Sequence, residues 1–174
     1  DLVQGQRVRK SSSGEAMVRA TGRRLRSQAG GWRWFGLKVH ARQVTIGADL
    51  ELHFMNDGYV GLCRLNDREV NICGLFRTRS PIPNLGRPWP DQFRGAAGSA
   101  LQTRFSEAAF DSDSFCAIAG LDPMGAPHHE PGECAVGDAL GMIAPMTGNG
   151  MSMAFESAEL AVEPLSRYSR GEID

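Results

Sequence analysis

The sequence predicts an α+β protein: an antiparallel sheet, followed at the C-terminal end by a strand, a glycine-rich loop and an amphipathic helix. Two observations predict it. Between Trp32 and Arg77, apolar and polar residues alternate in four runs separated by tight-turn sequences, the period of two expected of half-buried strands. From Cys134 onward a short apolar run gives way to glycines and a proline, and then to apolar residues at helical spacing.

In the sheet, Phe35, Leu37 and Val39 alternate with Gly36, Lys38 and His40, and Leu50, Leu52 and Phe54 alternate with Glu51 and His53. Tyr59 to Leu65 and Val70 to Phe76 supply two further runs. Asn56-Asp57-Gly58 and Asn66-Asp67-Arg68-Glu69 are the turns, so three or four consecutive antiparallel strands are expected. Ahead of the sheet, Glu15 to Ala20 reads as a short strand broken by Thr21-Gly22. Ser11 to Gly14 reads as a loop tip and Ala29-Gly30-Gly31 as a hinge. After the sheet, Pro81, Pro83, Pro88 and Pro90 mark residues 80–98 as a connecting loop. Ser99 to Ala109 reads as a short helix with Leu101, Phe105 and Ala108 on one face, and 111–132 as irregular.

The last block carries the most information. Cys134-Ala135-Val136-Gly137 reads as a buried strand ending at Asp138, followed by a glycine- and proline-containing loop to Gly150. A helix is expected from near Met151, capped by Asn149 or Gly150, with Met151, Phe155, Ala158, Val162 and Leu165 at helical spacing. Pro164 and Gly171 mark its end. An aspartate at a strand end accepts hydrogen bonds from hydroxyls, glycines let backbone approach a ligand, and a helix start presents unpaired N–H groups to an anion. A ligand bearing both hydroxyls and negative charge suits that combination.

The segment Gly137-Asp138-Ala139-Leu140-Gly141-Met142-Ile143-Ala144-Pro145-Met146-Thr147-Gly148-Asn149-Gly150-Met151 resembles the C-terminal flavin motif of FAD-dependent oxidoreductases, the group of para-hydroxybenzoate hydroxylase-like enzymes, geranylgeranyl reductases and flavin halogenases. The resemblance implies that Gly137 and Asp138 hold the ribityl and pyrophosphate region of FAD. Gly148, Asn149, Gly150 and Met151 would then face the flavin, and Pro145 would line the ring site. Ala20-Thr21-Gly22 resembles the element by which such chains return to the FAD domain, although Arg19 stands where those strands carry an apolar residue. Trp34 to Phe76, including Gly58-Tyr59-Val60-Gly61, is similar to the antiparallel substrate-side sheet of the same enzymes.

The fold class implied is therefore α+β, an antiparallel substrate-side sheet plus the C-terminal strand-loop-helix of an incomplete FAD-binding Rossmann-type domain. Residues 1–28 would be a remnant of the FAD-binding domain, 29–115 the β-rich substrate-side domain with its linker, and 116–174 the C-terminal FAD-binding segment. The GxGxxG loop of such enzymes has no counterpart here, and the chain opens on Asp1. It is thus expected to be the C-terminal part of a longer flavoprotein that binds FAD weakly or not at all alone. The complete enzyme would be a cytoplasmic oxidoreductase or monooxygenase acting on a small organic substrate, with NAD(P)H as a candidate reductant.

No reaction subtype is assigned, and no catalytic residue. Trp32-Arg33-Trp34 resembles the WxW part of the halogenase signature without the following Ile-Pro, and neither Lys10 nor Lys38 has the context of the halogenase lysine. Tyr59 to Arg64 lacks the aromatic-rich YxWxFP segment of geranylgeranyl reductases. Trp32 and Trp34 read as packing residues, and His40 and His53 as satisfied sheet residues. Cys63 and Cys73, across from each other in the hairpin around Asp67, read as packed thiols, with a redox pair as the alternative. His128-His129-Glu130 with Cys134 lacks ligand spacing, so no metal site is expected.

Composition sets the outer limits. The 174 residues are 41% hydrophobic and 22% charged, an ordinary globular balance, with a net charge of −1. Residues 1–42 hold ten Lys or Arg against two Asp or Glu, whereas residues 105–174 hold two against twelve. A nucleic-acid patch from Arg7, Arg9, Lys10, Arg19, Arg23, Arg24 and Arg26 is the rival function, as is a non-catalytic binding remnant. Stacking aromatics are missing from that basic run, so no nucleic-acid partner is expected. The longest uncharged stretch, Ala139 to Phe155, is interrupted by glycines and Pro145, so no membrane span is expected. None of the four cysteines lies in a CxxC pair, which fits reduced thiols.

Overall fold

A computed structural model describes residues 4–5, 17–23, 31–79, 88–123, 127 and 132–173. The Ser11 to Gly14 loop, most of the basic run, Ala29-Gly30, residues 80–87 and His128-His129-Glu130 lie outside the described residues. The fold is α+β and divides into two units, Leu25–Asp122 and a second formed by Asp1–Arg24 with Pro123–Asp174.

The first unit is a five-stranded antiparallel sheet built from β2 (Arg33–Arg42), β3 (Leu50–Met55), β4 (Gly58–Asn66), β5 (Glu69–Thr78) and β6 (Ala109–Leu121), in the order β3-β4-β5-β2-β6. β3 to β5 form a meander through the two expected turns, with Met55 opposite Gly58 and Asn66 opposite Glu69. On the inner face Leu37, Val39 and Ala41 meet Val60, Leu62, Val70, Ile72 and Phe76. Two short helices cover that face, α1 (Pro90–Arg94) and α2 (Ala100–Arg104), contributing Phe93, Leu101 and Phe105. Each such fully buried side chain contributes about 1.5–3 kcal/mol. The aromatic rings interlock: Phe76 and Trp89 lie 6.0 Å and 6.2 Å edge-on from Phe93, and Trp89 stacks on Phe115 at 4.5 Å.

Three expectations change here. Residues 109–121 are strand, not irregular, so the expected boundary between 115 and 116 falls inside β6 and the sheet unit runs on to Asp122. Pairing with β2 imposes the strand on a sequence without clean alternation, through a bulge near Lys38 and His40. There the Ser114 hydroxyl accepts the His40 amide proton at 2.7 Å and donates to the Asp111 carbonyl at 2.8 Å. Within the stretch read as a loop, Pro90 begins α1, because a proline at the first helical position forfeits no hydrogen bond. α2 ends at Arg104, shorter than expected, with the Ser99 hydroxyl capping it by accepting the Gln102 N–H at 3.2 Å.

β3 also turns its faces opposite to its hydropathy. Phe54 is 69% and Leu50 62% exposed, while Glu51 and His53 point toward α2. The carboxylate of Glu51 explains the inversion. It accepts from the Gly47 amide, lies 2.9 Å from His53 Nε2, and pairs with Arg104 at 3.2 Å. Arg104 in turn donates to the Thr45 carbonyl at 2.6 Å. Burial pushes the Glu51 carboxyl up, but the Gly47 amide, His53 and Arg104 together hold it below its ordinary value.

The second unit joins β1 (Val18–Arg19) and β7 (Cys134–Ala135) as a parallel pair, with Val18 opposite Cys134. Two 3-10 turns follow, Gly137–Ala139 and Pro145–Thr147, and then the twenty-residue helix α3 (Gly150–Ser169). The strand is shorter than expected because the chain turns at Gly137. α3 passes through Pro164, which was expected to end it. The proline costs the helix one N–H, and the last turn is held by the Arg170 N–H to the Ser166 carbonyl at 3.2 Å and by Arg170 with Glu172 at 2.5 Å. Helical periodicity is observed, but the large apolar residues face outward, Met151 being 77% and Phe155 76% exposed. Gly150, Ala154, Ser157, Ala161 and Leu165 form the half-buried stripe instead.

Candidate flavin site and the open face of the sheet

Every residue expected to hold the cofactor lies in the second unit, on the two 3-10 turns and the start of α3. Gly137 adopts φ +58°, and a Cβ there would stand 3.2 Å from Ala154 Cβ, so any larger residue would be strained and would press the turn against the helix. Its carbonyl accepts from the amides of Leu140 at 2.9 Å and Gly141 at 3.2 Å. Asp138 is thereby presented on the exposed side of the turn, while Ala139 is buried. Ala154 is one turn into α3, so the turn carrying Asp138 packs about 6 Å along the axis from the helix start.

Pro145 opens the second turn, and Gly148 closes it in the left-handed region at φ +71°, its amide donating to the Pro145 carbonyl at 3.2 Å. Asn149 follows as the N-cap residue of α3, and its side chain makes no capping hydrogen bond. Among the described residues no side chain accepts from the N–H groups of the first helical turn, the arrangement that attracts anionic or carbonyl oxygens. A Cβ on Gly148 or Gly150 would meet nothing within 4 Å. Open space over bare backbone, an uncapped helix start and an exposed carboxylate fit a large polyhydroxylated anion such as FAD.

The open face of the sheet belongs to the other unit. Trp34, Lys38, Cys63, Cys73, Tyr59 and Cys116 alternate onto it. Lys38 lies in register between Cys73 and Cys116, and its ammonium lies 3.5 Å from the Ser114 carbonyl. Burial pushes both the Cys73 thiol and the Tyr59 phenol up, so neither is an activated nucleophile or base at neutral pH. Cys63 pairs with Asn71, and Cys73 with Gly61, so the two thiols are diagonal neighbours and not opposite one another. All four cysteines are free. Trp32 is held between the guanidiniums of Arg77 at 4.5 Å and Arg79 at 4.6 Å, a packing role. His53 is engaged by Glu51, and His40 Nδ1 lies 3.9 Å from Glu69. Among the described residues no cluster of His, Cys, Asp and Glu could hold a metal ion, and no helix is long and apolar enough to cross a membrane. Arg19 is 8% exposed and bound to Glu133, which removes it from any surface basic patch.

Sequence reasoning missed Ser157, whose hydroxyl accepts the Gly137 amide proton at 2.8 Å. Its signal was the spacing of small residues at 150, 154, 157 and 161, which marks the packed face of α3.

Neither a protein-family model nor a curated protein sequence matches the chain. Solved structures do match its fold. The myxobacterial chondrochloren halogenase CndH, a variant of FAD-dependent halogenases, aligns at 18% identity over 91% of this chain and 40% of its own, with a TM-score of 0.62. A geranylgeranyl bacteriochlorophyll reductase-like protein from Thermoplasma acidophilum aligns at 16% identity over 84% and 37%, with a TM-score of 0.57. A variant of PqsL from P. aeruginosa aligns at 15% over 91% and 47%, with a TM-score of 0.51. The chain thus spans less than half the length of each of these structures. Its fold is like that of part of each of these structures.

Proposed function

We propose that this chain carries the flavin-facing and substrate-facing parts of a cytoplasmic FAD-dependent oxidoreductase or monooxygenase that acts on a small organic substrate, with NAD(P)H as the reductant. One observation carries the reading: an uncapped helix start and bare glycine backbone follow, within a dozen residues, an exposed aspartate on a tight turn. Bound there, FAD would supply the redox chemistry. Asp138, with Gly137 beside it, would hold the ribityl hydroxyls. Gly148, Asn149, Gly150 and Met151 would present backbone N–H groups to the ring, and Pro145 would border it. The open sheet face, with its apolar surface and the Lys38 ammonium, would border the substrate. The GxGxxG loop for the pyrophosphate has no counterpart in this sequence, so the chain alone is expected to bind weakly and to be inactive.

The test is a titration of the isotope-labelled chain with FAD to millimolar concentration, followed by amide NMR. Shifts confined to Gly137, Asp138 and residues 148–151, and reduced at least fivefold in apparent affinity by Asp138→Ala, are expected. Equal affinity in wild type and variant would remove Asp138 from the site, and the absence of shifts in the wild type would overturn the reading.

A further inference from the structure

We propose that Ser157 is a positioning residue for Asp138, an inference that rests on the flavin reading of the turn. The Ser157 hydroxyl donates to the Ala154 carbonyl at 2.9 Å, one turn earlier in α3. With its proton committed there, its lone pairs are aimed away from the helix, and the Gly137 N–H donates to them at 2.8 Å. The carbonyl of the same glycine is held by Leu140 and Gly141, so both backbone groups of Gly137 are engaged, one by the helix and one by the turn. Asp138 is the next residue. Ser157 fixes the Val136–Gly137 peptide and the turn fixes the Gly137–Asp138 peptide, so together they set the Gly137 dihedrals that aim Asp138.

The contact also explains a serine inside a long helix, where the residue type is otherwise unfavourable. Ser157 lies on the half-buried stripe, and alanine in its place would leave the Gly137 amide without its acceptor. Threonine would keep it, because a helical threonine can also bond the preceding turn with its hydroxyl. The role is one of geometry: Ser157 touches neither the proposed cofactor nor the substrate.

The test compares wild type, Ser157→Ala and Ser157→Thr as the full 174-residue chain. Amide exchange at Gly137 and the amide shifts of Asp138 and Ala139 are read without ligand, and the FAD-induced shifts are then read on the same samples. Ser157→Ala is expected to speed exchange at Gly137 at least tenfold, to displace the Asp138 resonance and to weaken FAD at least threefold, with Ser157→Thr restoring all three. A Gly137 amide equally protected in Ser157→Ala and wild type would overturn the positioning role. Faster exchange with unchanged FAD affinity would overturn its link to the cofactor. If FAD binds none of the three, the flavin reading fails, while the ligand-free exchange still decides whether Ser157 fixes the turn.

Discussion

The Nε of Arg19 and the Oε1 of Glu133 meet at 2.6 Å between β1 and the residue preceding β7, joining the two halves of the parallel pair across 114 residues of sequence. The basic end of the chain and its acidic end thus contribute one charge each to a buried ion pair. The Nη1 and Nη2 atoms of Arg19 are buried without a hydrogen-bond partner among the described residues, so the guanidinium depends on this carboxylate. Glu133→Ala is expected to destabilise the second unit by about 3 kcal/mol, because it strands a buried charge. The double variant Arg19→Met/Glu133→Ala should recover most of that loss, since removing both partners leaves no charge stranded. A double-mutant cycle in urea with nearly additive losses would contradict this.

Glu51 predicts a pH effect in the sheet unit. Its folded carboxyl lies below the ordinary 4.5, so the ion contributes stability at neutral pH that persists down to about that value and is lost as pH falls through the lower folded one. Glu51→Gln should cost about 1 kcal/mol at pH 7, after allowance for solvent screening. The difference from wild type should shrink as pH falls below the ordinary 4.5 and vanish once the folded carboxyl is itself protonated. Urea midpoints measured from pH 7 to pH 3 check both the size and the direction.

Phe93 is the centre of the aromatic layer under the sheet. It is fully buried against Phe76, Trp89 and Phe110, at centroid distances of 6.0, 6.2 and 6.4 Å. Phe93→Ala is expected to cost about 3–5 kcal/mol, and Phe93→Leu clearly less, because the cavity is smaller. Chemical denaturation followed by tryptophan emission measures it, Trp89 being the adjacent reporter.

Gly137 and Gly148 separate packing from ligand access. Both lie at positive φ, so alanine at either carries a backbone cost of about 1 kcal/mol. At Gly137 the added methyl would also press on Ala154, whereas at Gly148 it would enter open space. Gly137→Ala should therefore lower thermal stability more. Gly148→Ala should lower it by the backbone cost alone and reduce FAD-induced amide shifts at 149–151, since that space is where the ring is expected. The reverse order of effects would contradict the site geometry.

Much of the sheet is legible in the sequence, because β2 to β5 alternate and their turns carry Asn-Asp and Asp-Arg pairs. β6 is not legible: Asp111-Ser112-Asp113-Ser114 followed by small apolar residues has no period, and only β2 imposes one. α1 is hidden by the prolines around it. The order of Gly137-Asp138, Pro145 and Gly148-Asn149-Gly150 makes the candidate site readable. The face of α3 that packs is not readable from large residues, since glycine, alanine and serine do the packing. Side-chain volume, not hydropathy, decides that interface, and Ser157 is invisible until Gly137 is seen beside it.

The inverted β3 gives the chain a competing answer during folding. A slip of one residue against β4 would turn Leu50, Leu52 and Phe54 inward and Glu51 and His53 to water, satisfying hydropathy where the native pairing does not. Two things oppose that decoy: the two-residue turn at Asn56-Asp57 and the Arg104 charge waiting on the inner side. A salt bridge that contributes little to the depth of the native state can therefore still select it from its nearest rival. Arg104 is placed to favour the native strand register over the slipped one.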